Sequence, residues 1–218
     1  MKAGQHGGSA GYVKSLNYLP TSVVEDDVEN FVVSGETSTD IDEDGNAVIP
    51  DWMKDLSSKV ATLLQGRQGV PISYPVLRSR FHSSISDYAL IQALSASAVL
   101  VRGNFVLKSH LMALSAPVAN TRDVILLLMI KYGFVQREVL IKAYENAGPD
   151  AVVITVSVIN SLLDLLARKA LNGMEMKLDD DMTFESEFTE IAQLHQLYWE
   201  KKEQELGEYV KLYEAQLN

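Results

Sequence analysis

The sequence contains no cysteine, which excludes disulfide frameworks, thiol nucleophiles and cysteine-bound zinc or iron–sulfur sites. We therefore expect an intracellular, reducing compartment. The chain also lacks any run near the ~20 apolar residues needed to span a bilayer. Its longest candidate, residues 124–130, is flanked by charged side chains and predicts a buried helix. No charged-then-apolar layout typical of a signal peptide is found at the start, so neither a membrane partner nor secretion is expected.

Acidic side chains are concentrated at the two ends of the chain, which has a formal net charge of −10. Residues 1–51 hold 2 basic and 10 acidic side chains, and residues 179–218 hold 3 and 11. Between them, residues 52–114 hold 7 basic and 2 acidic side chains, and residues 115–178 are nearly balanced. Because acidic ends oppose the attraction of phosphates, this distribution does not favour general nucleic-acid binding.

The composition and the positions of residues that begin or end helices and strands divide the chain into four parts. Residues 1–48, rich in Gly, Ser, Thr, Asp and Glu, predict a disordered acidic leader. Residues 49–114 and 115–178 each predict a small folded unit. Residues 179–218 predict an acidic insert followed by a long helix.

The first unit has the signals of a winged helix. Asp51 is a candidate cap for a first helix, Ser73 with Pro75 for a second, and Ser86 for a third. Two β-rich runs around the turn at residues 102–104 then predict a hairpin, or wing. Helix, short strand, helix, helix and hairpin is the order of a helix-turn-helix elaborated by a β wing.

The same pattern recurs about 65 residues later. We expect a helix starting at Thr121 and an extended piece at residues 132–135. Further helices are expected at 136–145 and 157–167, followed by strands at 169–171 and 175–178. Residues 152–156 are β-branched enough to form a strand, and the sequence leaves that open. The predicted fold is mainly α with small β wings: tandem winged-helix domains plus a long C-terminal helix.

The C-terminal helix is expected to begin near residue 187 with two apolar stripes. The first stripe, which includes Phe188 and Ile191, is expected to pack on the second unit. The second stripe is expected either to dock a partner or to fold back, and its docking candidates are Tyr209, Val210 and Tyr213. Three large aromatic residues are expected to be largely buried, with interface anchoring as the alternative: Trp52, Phe105 and Trp199.

Chemistry-bearing patterns are scarce. Asp40, Asp42, Asp44 and Gly45 match the start of an EF-hand calcium loop, but Asp51 stands where the bidentate Glu belongs. An acidic linker is therefore the favoured interpretation, and no metal site is predicted. The four histidines are isolated, and nothing resembles a nucleophile elbow or a phosphate-binding glycine loop. We expect no catalytic residue, no cofactor, no small-molecule substrate and no enzymatic activity.

DNA binding through a recognition helix is the main alternative to protein docking for a winged helix. The two candidate recognition helices, residues 86–95 and 157–167, contain no Arg or Lys, which disfavours base-specific contacts. Non-specific phosphate contacts stay open for four basic residues of the first unit: Arg78, Arg80, Arg102 and Lys108.

Three segments resemble one family, in that family's order. Residues 90–94 (LIQAL) with 98–109 (AVLVRGNFVLKS) are similar to the first winged helix of the Sin-like subunit of RNA polymerase III. Residues 122–124 (RDV) with 133–139 (GFVQREV) resemble its second unit, and residues 193–199 (QLHQLYW) resemble a later segment.

The resemblance implies a peripheral, non-catalytic nuclear subunit that aids initiation, termination and reinitiation on transfer-RNA and 5S-RNA genes. Its implied partners are the other RNA polymerase III subunits. Family members carry an N-terminal β-barrel that pairs with a second polymerase subunit, and we expect no counterpart of that barrel in this sequence. Three interpretations of the chain are compatible with this difference from the family: a fragment, a split-gene product or a reduced relative. Two alternatives remain: a tandem winged-helix adaptor of another complex, and a DNA-binding winged-helix protein.

Overall fold

The computed structural model describes residues 51–147 and 154–217. The acidic leader and the calcium-loop match at Asp40, Asp42 and Asp44 lie outside these residues. Within them the protein is mainly helical, with two small antiparallel sheets and a long C-terminal helix, which confirms the predicted fold class. No helix in the described part of the chain is both long and apolar enough to cross a membrane.

The first unit has the predicted order of elements. These are α1 (Asp51–Gly66), β1 (Ile72–Ser73), α2 (Tyr74–Arg78), α3 (Asp87–Ser97), β2 (Ala98–Val101) and β3 (Asn104–Leu107). The strands form an antiparallel sheet in the order β1-β3-β2, with Phe105 opposite both Ile72 and Leu100. We call β2, β3 and their turn the first hairpin.

Local signals explain most of these boundaries. The Ser86 hydroxyl accepts a 3.2 Å hydrogen bond from the amide of Ala89, so the predicted cap of α3 is confirmed. Ser73 occupies the cap position of α2 without a side-chain bond. Asp51 is the first residue of α1 as described, not its cap, and its carboxylate accepts from the Lys54 ammonium at 3.2 Å.

The second unit repeats that order after a 3₁₀ turn at Ser109–Leu111. Its elements are α4 (Ala116–Tyr132), β4 (Phe134–Val135), α5 (Arg137–Glu145), α6 (Val156–Leu166), β5 (Ala167–Lys169) and β6 (Met174–Met176). Its sheet has the equivalent order, β4-β6-β5. We call β5, β6 and the loop 170–173 the second hairpin.

Two elements of this unit lie earlier in the sequence than predicted, namely the start of α4 and the second hairpin. Helix α4 begins at Ala116, because Ser115 and Pro117 start it, and Thr121 lies one turn inside with its hydroxyl bonded to the Pro117 carbonyl at 2.9 Å. The second hairpin is paired about two residues earlier than predicted. Its register places Ala167 opposite Met176, which buries both side chains against the core.

The strand considered for residues 152–156 does not extend through the described part of that segment. Thr155 caps α6, and its hydroxyl accepts from the amide of Val158 at 3.4 Å. The residues just before Ile154 lie outside the described ranges.

The first hairpin is buried on both faces. Successive side chains of a strand point to opposite faces, so alternate residues enter different cores. Val99, Val101 and Val106 pack in the core of the second unit. Leu100 and Phe105 pack in the core of the first. The two units therefore share this sheet as a common wall.

The C-terminal region is two helices rather than one. A short helix, α7 (Met182–Glu187), precedes α8 (Thr189–Leu217). Phe188, Ile191 and Leu194 pack in the first core, so the prediction that this stripe contacts the second unit was wrong for most of it. Tyr198, at the end of the stripe, does pack against the second core. The later stripe of α8 packs in the core of the second unit. At ~1.5 Å per residue, α8 is long enough to lie across both units.

The three large aromatic residues differ in burial. Phe105 is 0% and Trp199 is 5% exposed, as predicted. Trp52 is 52% exposed, so its predicted burial was wrong. It lies in the first turn of α1 and is not on the buried face of that helix. The buried residues of α1 are Met53, Leu56, Val60 and Leu64.

Candidate functional site

Residues 51–147 and 154–217 contain no side-chain cluster typical of a metal site. In that part of the chain no three His, Asp or Glu side chains lie close enough to hold a metal ion. His195 is buried and lies against Ser95, whose hydroxyl is 3.5 Å from the ring nitrogen Nε2. Burial lowers the pKa of His195 to about 3, so its imidazole is neutral at pH 7. It serves the packing between α3 and α8.

Arg78, predicted to contact phosphates, has intramolecular partners instead. Its Nε lies 2.7 Å from a carboxylate oxygen of Asp87, and its Nη2 donates a 2.8 Å hydrogen bond to the carbonyl of Ile85. Weaker bonds join it to the carbonyls of Phe81 and His82. Arg78 therefore fixes the loop between α2 and α3.

Arg102 lies at the turn of the first hairpin and is also engaged. Its guanidinium forms a two-point contact with Asp180, with Nε at 2.6 Å from Oδ1. That hydrogen bond raises the pKa of Arg102 above its usual value. The Asn104 side-chain amide donates to the Asp179 carbonyl at 2.9 Å, and the Asp181 amide donates to the Arg102 carbonyl at 3.0 Å. Residues 179–181, here called the acidic clamp, therefore cover the turn.

The other two candidates for phosphate contact, Lys108 and Arg80, differ in their exposure to solvent. Lys108 is 2% exposed, and its ammonium lies 5.7 Å from the centre of the Tyr198 ring. Arg80 is exposed. Phosphate contact therefore stays a prediction for Arg80, while Arg78, Arg102 and Lys108 are engaged within the chain.

The two candidate recognition helices differ in what they present. Most of α3 is buried in the first core, which leaves Gln92 and Ser95 partly accessible. Helix α6 presents Ser157, Ser161 and Asp164 to solvent. Neither helix carries Lys or Arg, so no positively charged group is positioned to enter a DNA groove from them.

The predicted docking stripe of α8 lies against the second unit. Val210 is 3% and Tyr213 is 1% exposed, and the Tyr213 hydroxyl accepts a 2.7 Å hydrogen bond from the amide of Gln136. Tyr209 is partly buried and stacks on Tyr144 with ring centres 4.9 Å apart. These side chains are intramolecular, which corrects the docking assignment and agrees with the alternative in which the helix folds back.

A buried polar cluster at the junction of the two units was missed. Arg122 is 0% exposed, and it donates to the carbonyls of Leu107 and Gly69 at 2.9 and 3.2 Å. It also donates to the Ser109 hydroxyl at 2.7 Å, and that hydroxyl in turn donates to the Asp123 carboxylate. Burial lowers the pKa of Arg122 to about 10 and raises the pKa of Asp123. An Arg-Asp pair directly before seven apolar residues was the available signal.

The second hairpin differs from the first because it projects into solvent. Leu171 at its tip is 99% exposed. Beside it lies a groove of about 640 Å³ between the hairpin, α6 and the start of α5, lined in part by Arg137, Asn160 and Asp164. The second hairpin is thus the more exposed of the two.

Comparison with known proteins supports the sequence resemblance. The family model described as RPC5 protein matches residues 17–208, which include all three segments that carry the resemblance. The match also includes much of the acidic segment 1–48. No curated protein matches the chain. The chain belongs to the RPC5 family, the family of subunit C5 of RNA polymerase III.

Proposed function

We propose that the chain is a non-catalytic, peripheral subunit of nuclear RNA polymerase III that supports transcription of small structural RNA genes. Its two winged-helix units dock onto other polymerase subunits through protein contacts. Family membership supports the assignment to this polymerase.

One observation carries the preference for protein docking over DNA binding. In each hairpin one arginine is held by a carboxylate of the acidic clamp. Arg102 binds Asp180 and Arg168 binds Asp179. An anionic backbone would have to displace these carboxylates, and the chain's net charge of −10 opposes its approach.

The second hairpin supplies the surface for docking. The first hairpin is enclosed by the two cores, whereas Leu171 extends fully into solvent. A single apolar side chain presented on a hairpin tip suits a pocket on a partner, where its burial would contribute ~1.5–3 kcal/mol.

The test is purification of the tagged full chain from extract of the source organism at moderate salt, with and without nuclease. We expect the large RNA polymerase III subunits to be recovered in both conditions. Recovery of a different complex would favour the adaptor alternative, and loss of the subunits after nuclease would favour a DNA-bridged association. Either result would overturn the proposal.

A matched pair of variants locates the docking surface. Leu171→Asp removes the exposed apolar side chain of the second hairpin and should reduce recovery of the polymerase subunits. Leu197→Asp makes the same change at a 52% exposed position on α8 and should leave recovery unchanged. Equal recovery with both variants would show that the second hairpin is not the docking surface.

DNA binding is measured separately with the purified chain and a labelled duplex at low salt. We expect no saturable binding. Arg80→Ala is the informative variant, because Arg80 is exposed and we expect its replacement to change stability by less than about 0.5 kcal/mol. Salt-sensitive binding by the wild-type chain that Arg80→Ala weakens would favour the DNA-binding alternative.

A further inference from the structure

A groove of about 630 Å³ runs between the first hairpin, α4 and α8, on a different part of the surface from the second hairpin. We call it the central groove. Its size is within the ~300–1,000 Å³ of clefts that bind ligands. Its apolar surface comes from both units and from α8: Leu100, Leu127, Ile130, Ala192, Trp199 and Val210.

The rim of the central groove is acidic. It is formed in part by Glu185 of α7 and by Glu200 and Glu203 of α8. Glu185 and Glu200 have no ion-pair partner among the described residues. Neither carboxylate is neutralised by an ion pair in that part of the chain, although Glu200 accepts a 2.9 Å hydrogen bond from the Gln196 side chain and Glu185 interacts electrostatically with Arg102.

The two cations that line the groove offset this rim only in part. Arg102 is held by Asp180. Lys131 lies 2.7 Å from Glu214 and 3.3 Å from Glu203. Its hydrogen bonds to these carboxylates raise the pKa of Lys131 above its usual value. Counting these carboxylates with Glu185 and Glu200, the groove and its margin carry an excess of negative charge.

An apolar floor with an acidic rim fits an amphipathic helix that carries apolar side chains on one face and Lys or Arg beside them. Such a helix presents its apolar anchors at i, i+3, i+4 and i+7 spacing. The N-terminal segment of this chain is a poor occupant, because residues 1–51 hold 10 acidic and only 2 basic side chains. Charge complementarity therefore favours a different polypeptide.

We propose that the central groove binds a basic amphipathic helix of another RNA polymerase III subunit. The source of that helix rests on the proposed function. The chemistry of the groove is independent of it, and the two are tested separately.

The probe is a fluorescently labelled, amphipathic Leu/Lys peptide of about 14 residues, with a Leu/Glu peptide of the same pattern as control. The protein is the full chain carrying Trp52→Phe. Because the chain has 2 tryptophans, this leaves Trp199, in the groove, as the only one. Peptide anisotropy measures affinity, and the emission of Trp199 reports whether the peptide occupies the groove.

Two double variants with the same change of charge locate the site. Glu185→Lys with Glu200→Lys reverses the rim. Glu187→Lys with Glu208→Lys reverses exposed charges on α7 and α8 that do not line the groove. We expect saturable binding of the Leu/Lys peptide, a change in Trp199 emission, and about tenfold weaker binding for the rim variant only.

Three outcomes would overturn the groove assignment: no binding of the Leu/Lys peptide, equal binding of the Leu/Glu peptide, or equal weakening by both double variants. None of these measurements involves the polymerase. A chain that binds the Leu/Lys peptide in the groove but does not recover polymerase subunits would instead refute the proposed function.

Discussion

The indole Nε1–H of Trp199 donates a 2.8 Å hydrogen bond to the carbonyl oxygen of Leu100, across 99 residues of sequence. This bond joins α8 to β2, the strand that the two cores share as a wall. Leu100 and Trp199 are each only 5% exposed in the folded chain.

Replacement of Trp199 should therefore destabilise the whole fold. We expect Trp199→Phe to lower the free energy of unfolding by about 1–3 kcal/mol, since it removes the hydrogen bond to the Leu100 carbonyl and part of the buried ring. Trp199→Ala should cost about 3–5 kcal/mol, because it also opens a cavity. Urea unfolding followed by circular dichroism measures both. Trp52→Phe, at a 52% exposed position, is the control and should change stability by less than about 0.5 kcal/mol.

Two glycines should respond in opposite directions to the same substitution. Gly103 has φ +77°, and a Cβ there would lie 2.1 Å from the carbonyl oxygen of Asp181. Gly103→Ala should cost about 2–4 kcal/mol, from left-handed strain and displacement of the acidic clamp. Gly207 lies inside α8 with nothing within 4 Å of an added Cβ, so Gly207→Ala should stabilise by about 0.5–1 kcal/mol. Thermal unfolding compares the two variants, and equal shifts would contradict this account.

Local chemistry explains why much of the fold could be predicted from the sequence. Ser86 satisfies an amide at the start of α3, and the Arg102-Gly103 turn has φ of +50° and +77°, which suits a tight hairpin. These signals act within a few residues of one another. The repeat of the same signals then predicted the second unit.

Features that depend on tertiary packing could not be predicted in the same way. The spacing of Phe188 and Ile191 predicts an apolar stripe on a helix, but not which of two apolar cores receives it. The exposure of Trp52 and the shared wall formed by the first hairpin depend on contacts between distant segments. The availability of the basic residues for phosphate contact could not be predicted either. The ion pair between Arg102 and Asp180 joins residues that are far apart in the sequence.

The junction cluster provides a test of how the two units are held together. Arg122→Met removes the guanidinium that binds Leu107, Gly69 and Ser109 and leaves the Asp123 carboxylate buried with fewer compensating groups. We expect a loss of about 3–5 kcal/mol in the free energy of unfolding. Arg122→Lys should recover only part of it, because an ammonium cannot reproduce the fork of donors. The exposed Arg80→Met is the control, and comparable losses at Arg80 and Arg122 would refute the role of burial.

His195 should make the fold sensitive to acid. Its pKa is lowered to about 3 in the folded chain by burial and by the charge of Lys108, whereas an unfolded histidine has a pKa of ~6.5. Because the unfolded state binds the proton more readily, this residue contributes stability above pH ~6.5 that is lost as the pH falls toward ~3.

The histidine contribution can be separated from that of the carboxylates, which also protonate in acid. Between pH ~6.5 and ~3, one such histidine can lower the free energy of unfolding by up to about 1.4 kcal/mol for each unit that the pH falls. The free energy of unfolding of His195→Gln should therefore fall less steeply than that of the wild-type chain between about pH 6.5 and pH 4. His82→Gln, at an exposed position, should follow the wild-type curve. Parallel curves for wild type and His195→Gln would mean that the buried imidazole is not what makes the fold acid-sensitive.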